Sequence, residues 1–188
     1  MKGYYMKILI ASDIHGSAEY SEKLLGAYNS IKPDKLLLLG DLLYHGPRNA
    51  LPYDYDTKRT LKILNSLKEN IIAVRGNCDA EVDQMVLDFP IMNDYEQIEA
   101  DGVKLFATHG HHFNPQTPPP FVDMDVLLNG HTHIPMIKQY DGFVCVNPGS
   151  VSIPKAGSDH SFAVFDGGVI TLNRLGDLGE YDRIDLRN

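Results

Sequence analysis

Side chains that are able to bind metal ions occur in five short motifs of this sequence, and each motif directly follows an apolar run. The motifs are Asp13-Ile14-His15, Gly40-Asp41, Gly76-Asn77, His109-Gly110-His111 and Gly130-His131-Thr132-His133. Carboxylate, amide and imidazole groups are the ligands that a two-metal hydrolytic centre needs. Any one of these motifs alone is more often a turn, a helix cap or a structural histidine than a metal site. Five of them in a chain of 188 residues predict a metal site.

The spacing inside the motifs indicates how the ligands are shared. Asp13 and His15 are two residues apart, so on an extended segment both side chains point to the same face. The same spacing relates His131 and His133. Asp41 follows an apolar strand-like run, where a carboxylate is costly unless it is paired, hydrogen-bonded or bound to metal. Because its carboxylate has two oxygens, Asp41 is the natural group to bridge two ions.

The elements that must position these motifs alternate between strands and helices in the first half of the chain. Apolar runs at 7–11, 35–39 and 71–74 predict buried strands, separated by a helix that Ser17 caps and a helix that begins near Thr57. This order implies parallel pairing with right-handed crossovers. The carboxyl ends of such strands are where open α/β sheets build their sites.

The second half predicts hairpins instead. Apolar strands flank Asp101-Gly102, Asp141-Gly142 and Asp166-Gly167-Gly168, which are turn signals. We therefore expect a largely antiparallel second sheet. The predicted fold class is α/β (α+β), a two-sheet β-sandwich flanked by helices. Residues 1–188 are expected to form a single domain, with residues 1–5 as a short tail.

The composition limits the classes of function. A formal net charge of −8 argues against a nucleic-acid-binding surface. Two cysteines provide no disulfide framework. No apolar run approaches the ~18 residues of a membrane span, and a signal peptide is not evident at the start. We expect a cytoplasmic protein without a membrane partner. A homo-oligomer is compatible with the sequence, which does not fix the oligomeric state.

Taken together, the ordered motifs resemble those of the calcineurin-like metallophosphoesterases. Within them, the chain is similar to the small bacterial and archaeal phosphodiesterases of the YfcE type. The resemblance covers about residues 6 to 175, and the local strings that carry it are ASDIHGS, GDLLYHGPRNALP, AVRGNCDAEVDQM, THGHHF, GHTHIP and NPGSVSIPK. The resemblance implies a β-sandwich flanked by helices, which agrees with the interpretation of the strand pattern.

The resemblance also implies a division of the ligands between two divalent ions. The first ion would be held by Asp13, His15, Asp41 and His133. The second would be held by Asp41, Asn77, His109 and His131, with Asp41 as the bridge. The family often works with Mn²⁺, and ligands of this type also suit Fe²⁺, Ni²⁺ or Zn²⁺. The implied reaction is hydrolysis of a small phosphodiester by a hydroxide that bridges the ions.

The sequence departs from the family pattern at one position that bears on substrate choice. Many family members have a histidine directly after the asparagine of the G-N motif, where this chain has Cys78. A thiol is a weak donor and a poor proton source for an alkoxide, so Cys78 is either a modest catalytic group or a packing residue. The departure favours diesters over monoesters. His111 is a further candidate catalytic residue, and His45 and Arg48 are candidate substrate-binding residues or solvated loop residues.

Two alternatives to a phosphodiesterase stay open at this point. A phosphomonoesterase or a dinucleoside polyphosphate hydrolase would use the same ligand set, although the missing histidine counts against it. A non-catalytic protein-docking scaffold shares the fold, as in the retromer subunit. Such scaffolds lose ligands, whereas all seven are present here.

Overall fold

Two β-sheets lie at the centre of the structure, a computed structural model that describes residues 6–120 and 122–187. The predicted tail, residues 1–5, lies outside the described residues. The strands are β1 (Lys7–Ala11), β2 (Lys35–Leu38), β3 (Ile71–Ala73), β4 (Tyr95–Ala100), β5 (Val103–Thr108), β6 (Val126–Leu128), β7 (Met136–Tyr140), β8 (Phe143–Asn147), β9 (Ser161–Asp166), β10 (Val169–Arg174) and β11 (Glu180–Asp185). The helices are α1 (Ala18–Ile31), α2 (Thr57–Asn65) and α3 (Glu81–Gln84). The predicted two-sheet sandwich flanked by helices is confirmed.

The first sheet joins both halves of the chain in the order β11-β10-β9-β1-β2-β3. Strands β1, β2 and β3 are parallel, as predicted, with Leu9 paired to Leu36 and Leu37 paired to Ile72. Strand β9 runs antiparallel to β1, and β10 and β11 continue the sheet in antiparallel fashion. The first sheet is therefore mixed.

The second sheet has the order β4-β5-β6-β8-β7, and the prediction that it is largely antiparallel is wrong. Strands β5, β6 and β8 are parallel to one another, and only the edge strands β4 and β7 are antiparallel to their neighbours. The third hairpin, β9–β10, belongs to the first sheet. An Asp-Gly turn specifies local pairing, but it does not specify which sheet the hairpin joins. Strand β11 was not predicted, because its sequence EYDRID is mostly charged and exposed.

The helices begin and end where side chains satisfy their terminal groups. The Ser17 hydroxyl accepts a hydrogen bond from the backbone N–H of Tyr20 at the start of α1, and Lys32 ends that helix in a left-handed conformation. The Asp56 carboxylate caps α2 by accepting from two backbone N–H groups. The third helix, α3, is a single short turn of four residues.

Alternation along the central strands divides the core into two layers. In β1, Leu9 and Ala11 pack with the helices, whereas Ile8 and Ile10 pack against the second sheet. Each of these side chains is fully buried, and full burial of one Leu or Ile is worth about 1.5–3 kcal/mol. This burial on both faces explains why the strand is a continuous apolar run.

The carboxyl ends of five strands, β1, β2, β3, β5 and β6, meet at one edge of the sandwich. The five motifs follow these strands in the same order, and the loop after β8 reaches the same edge. Among the described residues, no helix is long and apolar enough to cross a bilayer.

Candidate metal centre

Five of the seven predicted ligands adopt a left-handed backbone conformation. The positive φ angles are those of Asp13 (57°), His15 (50°), Asp41 (56°), His131 (67°) and His133 (61°). The expectation that Asp13 and His15 share a face because their segment is extended is therefore wrong, and the same applies to the 131–133 pair. Their side chains are aimed by tight turns after the strand ends. Asp and His are among the side chains that tolerate this conformation best.

Hydrogen bonds between neighbouring loops hold these turns in place. The backbone N–H groups of Asp13 and His15 donate to the carbonyl oxygens of Gly40 (3.1 Å) and Asp41 (2.9 Å). The hydroxyls of Ser150 and Ser152, from the loop after β8, both donate to the carbonyl oxygen of Asp13, at 2.8 and 3.1 Å. A strained turn persists only where its surroundings over-determine it, which these contacts do.

Glycines allow the loops to approach closely. A Cβ added to Gly40, at φ +89°, would strike the backbone of Gly76. A Cβ on Gly130 would strike the hydroxyl of Ser12 and the carboxylate of Asp13. The glycines of the Gly40-Asp41, Gly76-Asn77 and Gly130-His131 motifs are thus needed for packing at the site.

The first group of ligand atoms surrounds the Asp13 carboxylate. Asp13 Oδ1 lies 3.2 Å from Nε2 of His133 and 3.6 Å from Nε2 of His15, and these two nitrogens are 3.4 Å apart. Asp41 Oδ2 lies 3.6 Å from Nε2 of His15. Ligand atoms about 2.0–2.2 Å from one ion are roughly 3–3.5 Å from each other in tetrahedral or octahedral geometry. The separations fit a shared cation.

The second group surrounds Nε2 of His109. This nitrogen lies 3.1 Å from Oδ1 of Asn77, 3.2 Å from Nδ1 of His131 and 3.5 Å from Oδ2 of Asp41. Because the same Asp41 oxygen faces both His15 and His109, it lies between the two groups. His131 therefore contributes to the second group, and His133 to the first.

Backbone carbonyls orient three of the imidazoles. Nδ1 of His15, His109 and His133 lies 2.8, 2.6 and 2.7 Å from the carbonyl oxygens of Tyr44, Leu39 and Ile153 respectively. A carbonyl only accepts, so each Nδ1 carries the proton and each Nε2 presents a lone pair to the centre. This arrangement is the usual support of a metal-binding histidine.

The candidate ligand atoms are suited to bind a cation rather than to hydrogen-bond to one another. Asp13 Oδ1 is buried and meets no hydrogen-bond donor. The facing Nε2 atoms and the Asn77 oxygen are all acceptors in this tautomer. An ionised, unpartnered carboxylate among imidazole lone pairs is suited to a divalent metal ion.

Asp79 supports the centre, although the motif analysis assigned it no role. Its buried carboxylate accepts from the backbone N–H groups of Asp41 (2.8 Å), Leu42 (2.8 Å) and Gly76 (2.7 Å). It thereby ties the Gly40-Asp41 turn to the Gly76-Asn77 turn. Burial raises the pKa of Asp79 to about 6, against the effect of these three donors. Asp79 could have been found from the sequence, because it is the final residue of the string Gly-Asn-Cys-Asp that contains the candidate ligand Asn77.

A cleft of about 350 Å³ opens onto the ligand groups. Arg48 and Lys155 bring cationic side chains to its wall, and Asn49 also lines it. Arg48 is a predicted substrate contact, whereas Lys155 was not identified from the sequence. The loop containing Lys155 is bound to the centre, since its N–H donates to the carbonyl oxygen of His133 at 3.1 Å.

The other predicted contacts are placed differently. His45 is not part of this cleft: its ring packs edge-on between Tyr44 and Tyr55, at centroid distances of 4.8 and 5.3 Å. His111 is half-buried beside His109 and lines a smaller adjoining recess of about 250 Å³. Burial and the neighbouring His109 lower the pKa of His111 to about 4.

Cys78 lies on the cleft wall, and its surroundings bear on whether it is a modest catalytic group or a packing residue. Its backbone N–H donates to Oδ1 of Asp41 at 2.8 Å. The thiol accepts a hydrogen bond from the Asn77 side chain at 3.2 Å. Burial, followed by the nearby Asp41 carboxylate, raises the pKa of the Cys78 thiol to about 12. The side chain is thus a neutral thiol.

The fold and the cluster of strand-end ligands define a class of protein. The family model described as the calcineurin-like phosphoesterase superfamily domain matches residues 6–167. The chain belongs to this family, whose members are metal-dependent phosphoester hydrolases.

Particular relatives narrow the comparison. The chain is 45% identical to the phosphodiesterase YfcE of Escherichia coli over 172 residues, which cover 92% of this chain and 94% of the relative. The solved structure of the E. coli phosphoesterase YfcE matches with a TM-score of 0.93 and 43% identity over 97% of this chain and 100% of the other. A phosphodiesterase of Methanocaldococcus jannaschii is 28% identical over 77% of this chain and 83% of its own length.

A more distant likeness shows the fold alone. Zinc-bound Vps29 from Entamoeba histolytica matches with a TM-score of 0.66 and 23% identity, over 97% of this chain and 100% of the other.

Proposed function

We propose that this protein is a binuclear metal-dependent phosphodiesterase that hydrolyses small phosphodiesters. One observation carries the proposal: the seven side chains form two groups of four that share a single oxygen of Asp41. The relatives named phosphodiesterases support the choice of a diester substrate. Mn²⁺ is the proposed metal, and Fe²⁺, Ni²⁺ and Zn²⁺ suit the same oxygen and nitrogen ligands.

The two groups correspond to the two proposed ion sites. Asp13, His15, Asp41 and His133 would hold the first ion, and Asp41, Asn77, His109 and His131 would hold the second. Support comes from the nitrogen–oxygen separations of 3.1–3.6 Å in each group and from the three carbonyls that aim the imidazoles. When bound, the ions would lower the pKa of a water molecule and offset charge on the phosphoryl oxygens.

The protein side chains of the cleft would bind and orient the substrate. Arg48 and Lys155 are the cations on the cleft wall, and each can offset the negative charge of a phosphodiester, Arg48 through two parallel N–H bonds. In the overall reaction, the oxygen of water forms a bond to phosphorus and one P–O ester bond breaks. The products are a phosphomonoester and an alcohol that carries one of the two water protons.

The nature of Cys78 supports a diester with a good leaving group. A neutral thiol is a weak hydrogen-bond donor, so it gives little assistance to a poor leaving alkoxide. His111 is half-buried beside the second group, where it can contact a phosphoryl oxygen or the leaving group. We therefore propose Cys78 and His111 as minor catalytic groups.

The decisive experiment compares two substrates that share a leaving group. Purified protein is reconstituted with Mn²⁺, and its metal content is measured by mass spectrometry. We expect about two ions per chain, and a kcat/KM for bis(p-nitrophenyl) phosphate well above that for p-nitrophenyl phosphate. The opposite preference would identify a phosphomonoesterase or a dinucleoside polyphosphate hydrolase. Absence of both metal and turnover would identify a scaffold.

The cellular setting is part of the same proposal. We propose a cytoplasmic location, supported by the free thiols of Cys78 and Cys145, which suit a reducing compartment. The proposed partner is the small phosphodiester itself, without nucleic acid or membrane. Assembly into a homo-oligomer stays a prediction, which sedimentation velocity tests.

A further inference from the structure

A second concavity lies on the far side of Cys78 from Arg48 and Lys155. It is an apolar groove of about 550 Å³, and we define it by Tyr44, Tyr55, Leu61, Cys78, Val82 and Val86. Cys78 also lines the metal cleft, so the two concavities share a wall. The groove lining combines these apolar side chains with Lys58 and Asp83, whereas the lining of the cleft includes two cationic side chains, Arg48 and Lys155.

The groove is exposed although its walls are apolar. Val82 is 63% exposed, Val86 is 44% exposed and Tyr44 is 43% exposed. Large apolar side chains that cluster at the surface usually mark a binding site. The Asp83 carboxylate, which also lines the groove, accepts a hydrogen bond from the backbone N–H of Ala80 at 2.8 Å.

Both walls of the apolar groove are bonded directly to the candidate ligands. Tyr44 lines the groove, and its carbonyl oxygen accepts from Nδ1 of His15 at 2.8 Å. On the other wall, the N–H of Cys78 donates to Asp41 Oδ1 at 2.8 Å. The groove and the candidate metal cleft are therefore adjacent at Cys78.

We propose that the apolar groove binds one ester group of the substrate, and that this group is apolar or aromatic. The inference rests on the proposed phosphodiesterase function and adds the substrate class. The phosphoryl group would lie in the cationic cleft, and the ester arm would pass the Cys78 thiol and pack against the side chains of Leu61, Val82 and Val86. Burial of an arm here would favour aryl or bulky alkyl diesters over small alkyl diesters.

Two symmetric phosphodiesters test the groove without the need to know which arm enters it. Diphenyl phosphate and diethyl phosphate carry the same charge and differ in their ester groups. Both are measured as competitive inhibitors of methyl p-nitrophenyl phosphate hydrolysis by the Mn²⁺-loaded protein. We expect an inhibition constant about tenfold lower for diphenyl phosphate. This is the effect of burying roughly 60 Å² of apolar surface. Calorimetric dissociation constants should show the same order without turnover.

A double variant and a matched control locate the effect. Val82→Asn combined with Val86→Asn should bring the ratio of the two inhibition constants from about tenfold toward one. Met85→Asn is the control, since Met85 is 83% exposed, lies between these positions and does not line the groove. This control should keep the wild-type ratio. Unchanged melting temperatures would show that both variants fold.

Each outcome decides between explanations. A wild-type ratio near one, or a ratio that survives the double substitution, overturns the groove assignment and leaves the phosphodiesterase proposal intact. Failure to hydrolyse methyl p-nitrophenyl phosphate with any of the four metals overturns both. A change of sedimentation coefficient in the double variant, with the ratio unchanged, would show that the groove is a contact between two copies of the chain.

Discussion

The strand-end loops and the hairpin turns use the same backbone conformation for different purposes. In the hairpins, left-handed angles fall on Asp101 (φ 53°), Gly102 (φ 80°) and Gly142 (φ 82°). An added Cβ at either of these two glycines would meet open space. At the site, left-handed angles fall on five of the ligands, in loops that are packed against one another.

Backbone strain in this fold is concentrated at the candidate metal centre. A non-glycine residue in the left-handed region costs about 1–2 kcal/mol. In a hairpin, one tolerant residue next to a glycine keeps this cost low. At the site, five candidate ligands each carry this conformational cost. Hydrogen bonds from Asp79, Ser150 and the neighbouring loops offset it. The same substitution should therefore have unequal effects in the two regions.

The largest expected contrast is Asp41→Asn against Asp101→Asn. The two aspartates have similar φ angles, 56° and 53°, and asparagine tolerates both. Asp41→Asn removes the charge that the two ligand groups share, so we expect kcat/KM to fall by about a thousandfold or more. Bound metal, measured by mass spectrometry, should fall with it. Asp101→Asn should retain activity, and full activity in the Asp41 variant would refute the site assignment.

The next contrast is Gly40→Ala against Gly142→Ala. Both glycines have φ between 80° and 90°, but only the Cβ at position 40 would strike another backbone. We expect Gly142→Ala to lower the free energy of unfolding by about 1–2 kcal/mol. Gly40→Ala should lower it by about 3–5 kcal/mol, because overpacking adds to the conformational cost. Denaturant unfolding measures both, and equal losses would show that the loops can separate freely.

A smaller effect is expected for Asp79→Asn. The Asp79 carboxylate accepts three buried backbone N–H groups, and an amide would turn its NH₂ toward one of them. The free energy of unfolding should fall by about 1–3 kcal/mol. Asp125→Asn is the matched control, because the exposed Asp125 carboxylate accepts one N–H, from Lys104. That variant should lose at most about 0.5 kcal/mol. The idea that Asp79 joins the two turns fails if the variants are equally stable.

The smallest contrast is Ser150→Ala against Ser158→Ala. The Ser150 hydroxyl donates to the strained Asp13 peptide, whereas the Ser158 hydroxyl donates to the exposed Lys155 carbonyl. Loss of the Ser150 bond should weaken metal binding about tenfold, in the range of supporting contacts around metal ligands. Mn²⁺ titration by calorimetry checks this. If Ser152 alone suffices to hold Asp13, the affinity would stay at the wild-type value and the role of Ser150 would be disproved.

Much of the fold was predictable because its signals are local. Apolar runs gave β1, β2 and β3, Ser17 gave the start of α1, and Asp-Gly pairs gave three hairpins. The assignment of strands to sheets was not predictable, since β9 pairs with β1 across more than half of the chain. The charged strand β11 gave no apolar signal at all. Its pairing with β10 comes from backbone bonds, which sequence patterns do not reveal.

The candidate site shows the same division. Residue types and order alone predicted the seven candidate ligands, because each follows a strand end and belongs to the small set of side chains that bind divalent ions. Arg48 lines the cleft and His45 does not, because of the way in which the long loop between β2 and α2 packs. The sequence does not reveal this packing. Lys155 and Asp79 carried no ligand pattern, so their roles emerged from contacts.

The order of the motifs in the sequence was enough to predict the family, the types of the candidate ligands and Asp41 as the proposed bridge. Only the tertiary structure decided that the ligands are aimed by left-handed turns rather than by extended segments, and that an apolar groove adjoins the cleft at Cys78. The physical reason is the range of the interactions. Side-chain chemistry and strand periodicity are properties of a few adjacent residues. Strained turns and shared walls exist only where segments distant in sequence, such as Asp13 and Ser150, are bonded together.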